Sequence, residues 1–142
     1  MPTDFAQHLT EFLSYYLPNQ KNASKNTIAS YRDTFKLLIR FCQDEKGIPA
    51  ERLYIKNLDH NMIMDFLNWL ETYRKCSVST RNQRLAAIHA FFRYAQYEEP
   101  SELMNFQKVI TIPIKKAKKP VIEHLTPESM QLLLKHSFKL TL

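Results

Sequence analysis

SVSTRNQRLAAIHAFFRYAQY, residues 77–97, is the stretch on which the reading of this chain turns. Leu85, Ile88, Phe91, Phe92 and Ala95 recur at helical spacing and form one buried stripe, with Ser79 as the cap and Pro100 past the end. At about 100° per residue, Thr80, Gln83, Ala86, Ala87 and Ala90 fall opposite that stripe, flanked by Asn82 and Arg93. The stretch also holds Arg81 and Arg84, and no acidic residue occurs between Glu71 and Glu98. A helix with such a bare, basic outer face attracts polyanions. Its small side chains let the backbone approach a groove. Gln83 and Asn82 suit base edges, Arg81, Arg84 and Arg93 suit phosphates, and Ser79, Thr80 and the first-turn amides add neutral phosphate donors. The plainer reading is a solvated face whose alanines serve helix propensity.

Outward from this helix the chain repeats the pattern. Phe5, Leu9, Phe12, Leu13 and Tyr16 line a first helix, capped by Thr3 or Asp4, with Pro18 just beyond its end. Ser24 caps a second helix with the stripe Ile28, Tyr31, Phe35, Leu38, Ile39 and Cys42, closed by a left-handed Gly47. Asn26, Ala29, Ser30 and Asp33 lie opposite that stripe, with Lys25 and Thr27 in the first turn. The hydroxyl of Thr27 serves the helix start at least as readily as DNA. Asp59 caps a third helix with Ile63, Phe66, Leu67, Leu70 and Tyr73 inward and Trp69 at the core edge. A short fifth helix is expected near Glu102 to Lys108. The fold class is therefore all-α, a bundle of four to five helices.

Composition narrows the function. The 142 residues carry a formal charge of +6 and 44% hydrophobic residues, enough for a packed core and an acidic partner. A single glycine, Gly47, excludes phosphate-cradling loops and dinucleotide fingerprints, which need several at close spacing. Cys42 and Cys76 read as free thiols in a reducing cytosol. No cofactor, metal site or catalytic dyad is expected. No apolar run approaches a membrane span, and a cytoplasmic location is expected.

After residue 109 the character changes. Residues 110–120, ITIPIKKAKKP, read as an extended basic linker, with Lys115, Lys116, Lys118 and Lys119 placed to follow a phosphate backbone. Thr126-Pro127-Glu128 then starts a further helix shortly before Leu142. The expected division is a helical DNA-binding unit over 1–109, a linker over 110–124, and the start of a second, truncated unit over 125–142.

Ser24-x-Asn26-Thr27-Ile28-x-x-Tyr31 with Phe35 and Phe41, and Ser77-x-Ser79-Thr80-Arg81-Asn82-x-x-Leu85-x-Ala87-Ile88-x-x-Phe91-Phe92-x-Tyr94-Ala95, resemble the tyrosine recombinases of the phage-integrase group. The segment from Pro113 to Pro120 followed by Leu125-Thr126-Pro127-Glu128 resembles that family's junction into its catalytic domain. The resemblance implies a SAM-like core-binding domain whose second and fourth helices enter the major groove at a recombination half-site. It also implies strand transfer by a tyrosine nucleophile in the domain after the linker. Tyr15, Tyr16, Tyr31, Tyr54, Tyr73, Tyr94 and Tyr97 all precede that point, so no cleavage or ligation is expected of this chain.

The expected partner is double-stranded DNA, with contacts to other recombinase protomers on DNA and a monomer when free. Two other classes fit a basic helical chain: an autonomous DNA-binding regulator and a protein-binding helical adaptor. A compact helix-turn-helix would favour the regulator, and none is evident. Exposed apolar faces would favour the adaptor.

Overall fold

The computed structural model describes residues 2–116, which are helical and contain no strand. Residues 117–142, with the expected helix start at Thr126, lie outside the described residues. Helix α1 (Asp4–Glu11) is capped by Thr3, whose hydroxyl accepts from the Ala6 amide at 3.1 Å. It runs directly into a π-helical segment, Phe12–Gln20, so Pro18 lies inside the helix and not beyond it. Proline cannot donate to a preceding carbonyl. The wider turn absorbs that loss, and Lys21 N–H reaches the Tyr16 carbonyl at 3.0 Å.

Helix α2 (Lys25–Lys46) begins at Ser24, whose Oγ accepts from the Thr27 amide at 3.1 Å, and ends at Gly47 with φ 67°. Phe35, Leu38 and Cys42 are buried as the spacing predicts, together with Thr34 and Phe41, while Ile28, Tyr31 and Ile39 are half-buried. Two single 3-10 turns, Ala50–Arg52 and Ile55–Asn57, follow, and the buried Leu53, Ile55 and Leu58 plug the bundle there. Asp4 fastens that plug by accepting from the Ile55 amide at 3.0 Å.

Helix α3 (His60–Thr72) is capped by Asp59 and buries Ile63, Phe66, Leu67 and Leu70. Tyr73 does not continue the stripe. It falls after the last helical residue and is 73% exposed. Trp69 covers the core edge, stacked on Phe66 at 6.1 Å and carrying the Arg74 guanidinium 5.8 Å from its ring centroid.

Helix α4 (Val78–Glu98) is the centre of the bundle and packs against α1, α2, α3 and α5. Its cap is Ser77 and not Ser79: Ser77 Oγ accepts from the Thr80 amide at 3.1 Å. Because neighbours flank it on several sides, α4 buries Arg81, Ala87, His89 and Tyr94 as well as the predicted stripe. Ala87 therefore belongs to the core and not to the outer face. A 3-10 turn, Pro100–Glu102, leads into α5 (Leu103–Ile110), which seats Phe106 against Phe92 at 5.5 Å.

Aromatic rings fill the core. Phe91 lies edge-on to Phe5 at 5.6 Å and to Phe12 at 5.5 Å, and Phe35 closes the group 5.3 Å from Phe91. Such edge-to-face pairs add about 0.5–1.5 kcal/mol each beyond the area they bury. Among the described residues three hold positive φ: Asn22 (49°), Gly47 (67°) and Lys75 (53°), each at a joint beside α2 or α4. No helix among the described residues is long and apolar enough to cross a membrane.

Candidate nucleic-acid interface

The two helices singled out from sequence meet along a seam. Asn26, Thr27, Ser30 and Tyr31 of α2 face Gln83 and Ala86 of α4 across an open cleft of about 350 Å³. Asn26, Ser30, Gln83 and Ala86 are exposed, as is Lys25 in the first turn of α2. The helices start alike. Ser24 Oγ donates to Thr27 Oγ1 at 2.9 Å, and Ser77 Oγ donates to Thr80 Oγ1 at 3.1 Å, while each serine accepts the amide of that threonine. Thr27 and Thr80 thus stabilise helix starts and remain half-buried.

The arginines are not the free outer row that the sequence suggests. Arg81 is 4% exposed. Its Nε lies 3.2 Å from Glu71 Oε1, close enough to pair charge though without hydrogen-bond geometry, and Nη1 donates to Asn82 Oδ1 at 3.3 Å. This corrects the expectation that Arg81 stands open to phosphate. Its partner on α3 draws it inside, and no periodicity within α4 reveals that partner. Arg84 is half-buried and donates through Nη1 to the Ser30 carbonyl at 3.3 Å and to Thr34 Oγ1 at 3.1 Å. It clasps α4 to α2. Alanine at either arginine would therefore disturb packing, and neither substitution cleanly tests binding.

Asn82 is also engaged. Its side-chain amide donates to the Lys115 carbonyl at 2.7 Å and its Oδ1 accepts from the Lys115 amide at 2.9 Å. Lys115 Nζ reaches Glu71 Oε2 at 2.9 Å, so one carboxylate bridges two cations. The basic stretch is thereby tied to the start of α4 through Lys115, while Lys116 is exposed beside it. Lys118 and Lys119 lie outside the described residues. Ser79 is exposed in the first turn of α4. Arg93 is exposed too, but it lines a neighbouring cleft with Lys21, Thr27, Tyr31 and Ala90.

The structure adds residues that the sequence reading missed. Lys36 and Arg40 of α2 share a cleft of about 270 Å³ with Asp33, Arg84 and Arg74. One carboxylate against four cations leaves this stretch positive. The four-residue spacing of Lys36 and Arg40 was a visible signal, but the approach of Arg74 and Arg84 depends on helix packing. The thiol of Cys42 is pushed up to about 11 by burial, so it stays protonated in the core.

An all-α bundle in which the first turns of α2 and the stretch of α4 around Gln83 line one polar seam defines the architecture. The chain belongs to the family of the phage integrase N-terminal SAM-like domain, whose model matches residues 9–99. Two curated proteins of Sinorhizobium fredii are similar to it. "Putative integrase/recombinase y4rC" is 40% identical over 126 residues, covering 89% of this chain and 38% of that protein. "Putative integrase/recombinase y4rD" is 37% identical over 126 residues, covering 89% of this chain and 45% of that protein. The chain thus spans less than half the length of these relatives. No solved structure gives a significant match.

Proposed function

We propose that this chain is the DNA-binding module of a site-specific recombinase of the integrase type, gripping duplex DNA with the α2–α4 seam in the major groove. The observation that carries this reading is the cleft in which exposed Asn26 and Ser30 of α2 face exposed Gln83 of α4. Amide and hydroxyl side chains of this kind read base edges. Lys25, Lys36, Arg40, Arg93 and Lys116 supply positive charge around the seam, and capped helix starts favour phosphate. The expected linker over 110–124 starts later than the sequence suggests, since Ile110 ends α5 and Ile112 is buried. The stretch beyond Ile112 serves as the linker and passes beside Asn82 near the start of α4, toward a catalytic unit beginning near residue 125. The binding module supplies no strand transfer of its own. Other protomers would join it only on DNA.

Fluorescence anisotropy on duplex DNA across a salt series tests this. Binding should prefer duplex to single strands and weaken steeply with salt. Lys36→Ala and Arg40→Ala should each lower the salt slope by about one. On a selected target, Gln83→Ala should weaken binding about tenfold while leaving random duplex unaffected, the loss of roughly one base contact. Salt-insensitive binding, or none at low salt, would leave the helical-adaptor reading in its place.

A further inference from the structure

At the far end of α4 the chemistry reverses. Glu11, Tyr15, Tyr16, Tyr94, Tyr97 and Glu98 line a cleft of about 300 Å³, and no lysine or arginine among the described residues lines it. The Tyr16 and Tyr94 rings stand 4.7 Å apart at its base. Tyr94 is 6% exposed, and its Oη makes no hydrogen bond of good geometry among the described residues, although the Glu11 carboxylate stands close to it. Tyr15 and Tyr97 are 54% and 80% exposed and form open aromatic shoulders.

A buried hydroxyl without a hydrogen bond of good geometry is costly, and here it lines a cleft walled by rings and carboxylates. Ring faces carry negative potential and attract cations. The carbonyl end of α4 adds to the same field. A phosphate would be repelled here. An ammonium would gain ion pairs from Glu11 and Glu98, ring contacts from the tyrosines, and an acceptor in Tyr94 Oη. Burial, with Glu11 and Glu98 nearby, pushes the Tyr94 phenol up to about 12, so its oxygen stays neutral and keeps lone pairs for such a donor.

We propose that this cleft is a cation pocket that receives a lysine side chain presented by a basic peptide segment of a partner protein. Charge complementarity selects the cation. The exposed shoulders of Tyr15 and Tyr97 favour a peptide, because they extend past the cleft and offer flat surface to residues on either side of the lysine. Lys21 does not fill the cleft: its Nζ lies 5.9 Å from the Tyr16 centroid, from the neighbouring cleft that it lines.

The test follows tyrosine ring resonances of the full chain by NMR during titration with a capped pentapeptide, Lys-Lys-Ala-Lys-Lys. An otherwise identical peptide with glutamate for lysine, and n-butylammonium, serve as comparisons. Saturable shifts of Tyr15, Tyr16, Tyr94 and Tyr97 are expected with the lysine peptide alone. Binding should weaken at least about tenfold in the Glu11→Gln, Glu98→Gln double variant, in which both sites are exposed. Tyr97→Ala, at an exposed position, should also weaken it. No saturable shift, or undiminished affinity in the double variant, would overturn the proposal. Equal binding of n-butylammonium would overturn it too, by assigning the cleft to free cations. Competition by duplex DNA is not expected, since the α2–α4 seam opens near the start of α4 and this cleft lies at its end.

Discussion

The two halves of α4 are held in place by different physics. From Phe91 onward the helix is fixed by rings, with Phe5, Phe12, Phe35 and Phe106 packed on Phe91 and Phe92. From Ser77 to Arg84 it is fixed by polar contacts, through Glu71, Lys115, Ser30 and Thr34. Ring packing draws most of its stabilisation from buried area, with a smaller contribution from ring geometry, whereas hydrogen bonds and ion pairs act through orientation and distance. The half that carries Gln83 and Ser79, which the proposed function would turn toward DNA, is the half positioned by directional contacts. The aromatic half carries the weight of the fold.

Substitutions can break this division, beginning with the largest effect. Phe12→Ala removes a fully buried ring that touches Tyr16, Tyr31, Phe35, Phe91 and Tyr94, and should cost about 3–5 kcal/mol in chemical denaturation. Glu71→Ala strands Arg81 in the interior. Its cost should be about 2–3 kcal/mol, less than for a fully enclosed pair because Glu71 retains some exposure. That variant should also free the Lys115 side chain from α3 while Asn82 still holds its backbone, so limited proteolysis around residue 115 should rise only when Asn82→Ala is added.

Smaller effects sharpen the comparison. Ser77→Ala should cost about 1 kcal/mol as the lost cap of α4, while Ser79→Ala should stay within about 0.5 kcal/mol. Thermal denaturation of the two variants would decide which serine caps the helix. The mildest effect concerns His89, whose pKa burial lowers, with Arg93 adding to the shift. The unfolded chain then takes up the proton first. Stability from His89 is full above about pH 6.5 and is lost as pH falls below it. A melting series from pH 8 to about pH 5.5 should show that decline, flattened in His89→Gln.

The same division explains what could be read from the residues alone. Ser24, Gly47 and Asp59 were legible because caps act within a few positions of themselves. Leu85, Ile88, Phe91, Phe92 and Ala95 were legible from their period. Around α4 two serines competed for one cap, and spacing alone did not separate Ser77 from Ser79. Pro18 signalled an ending that the π-helical turn overrides. Arg81 was assigned to the surface because its partner, Glu71, lies on another helix. For the candidate interface, Asn26, Ser30 and Gln83 emerged from angular placement on single helices. Arg40 and Arg74 did not, since they meet only after packing. The part of Arg40 in the proposed binding is what the salt slope of its alanine variant reads.

The left-handed residues Asn22, Gly47 and Lys75 have a mechanical consequence. They sit at the joints that introduce α2, close α2 and introduce α4. Asn22 and Lys75 hold a backbone conformation that residues with side chains seldom adopt, so the turns into α2 and α4 each depend on one strained residue, while glycine meets the same need at Gly47 freely. Under the proposed function, a duplex meeting turns of this kind would supply part of the adjustment itself, by bending or by changing its groove width. Such a binder would favour sequences that deform cheaply, with discrimination at base pairs it never touches.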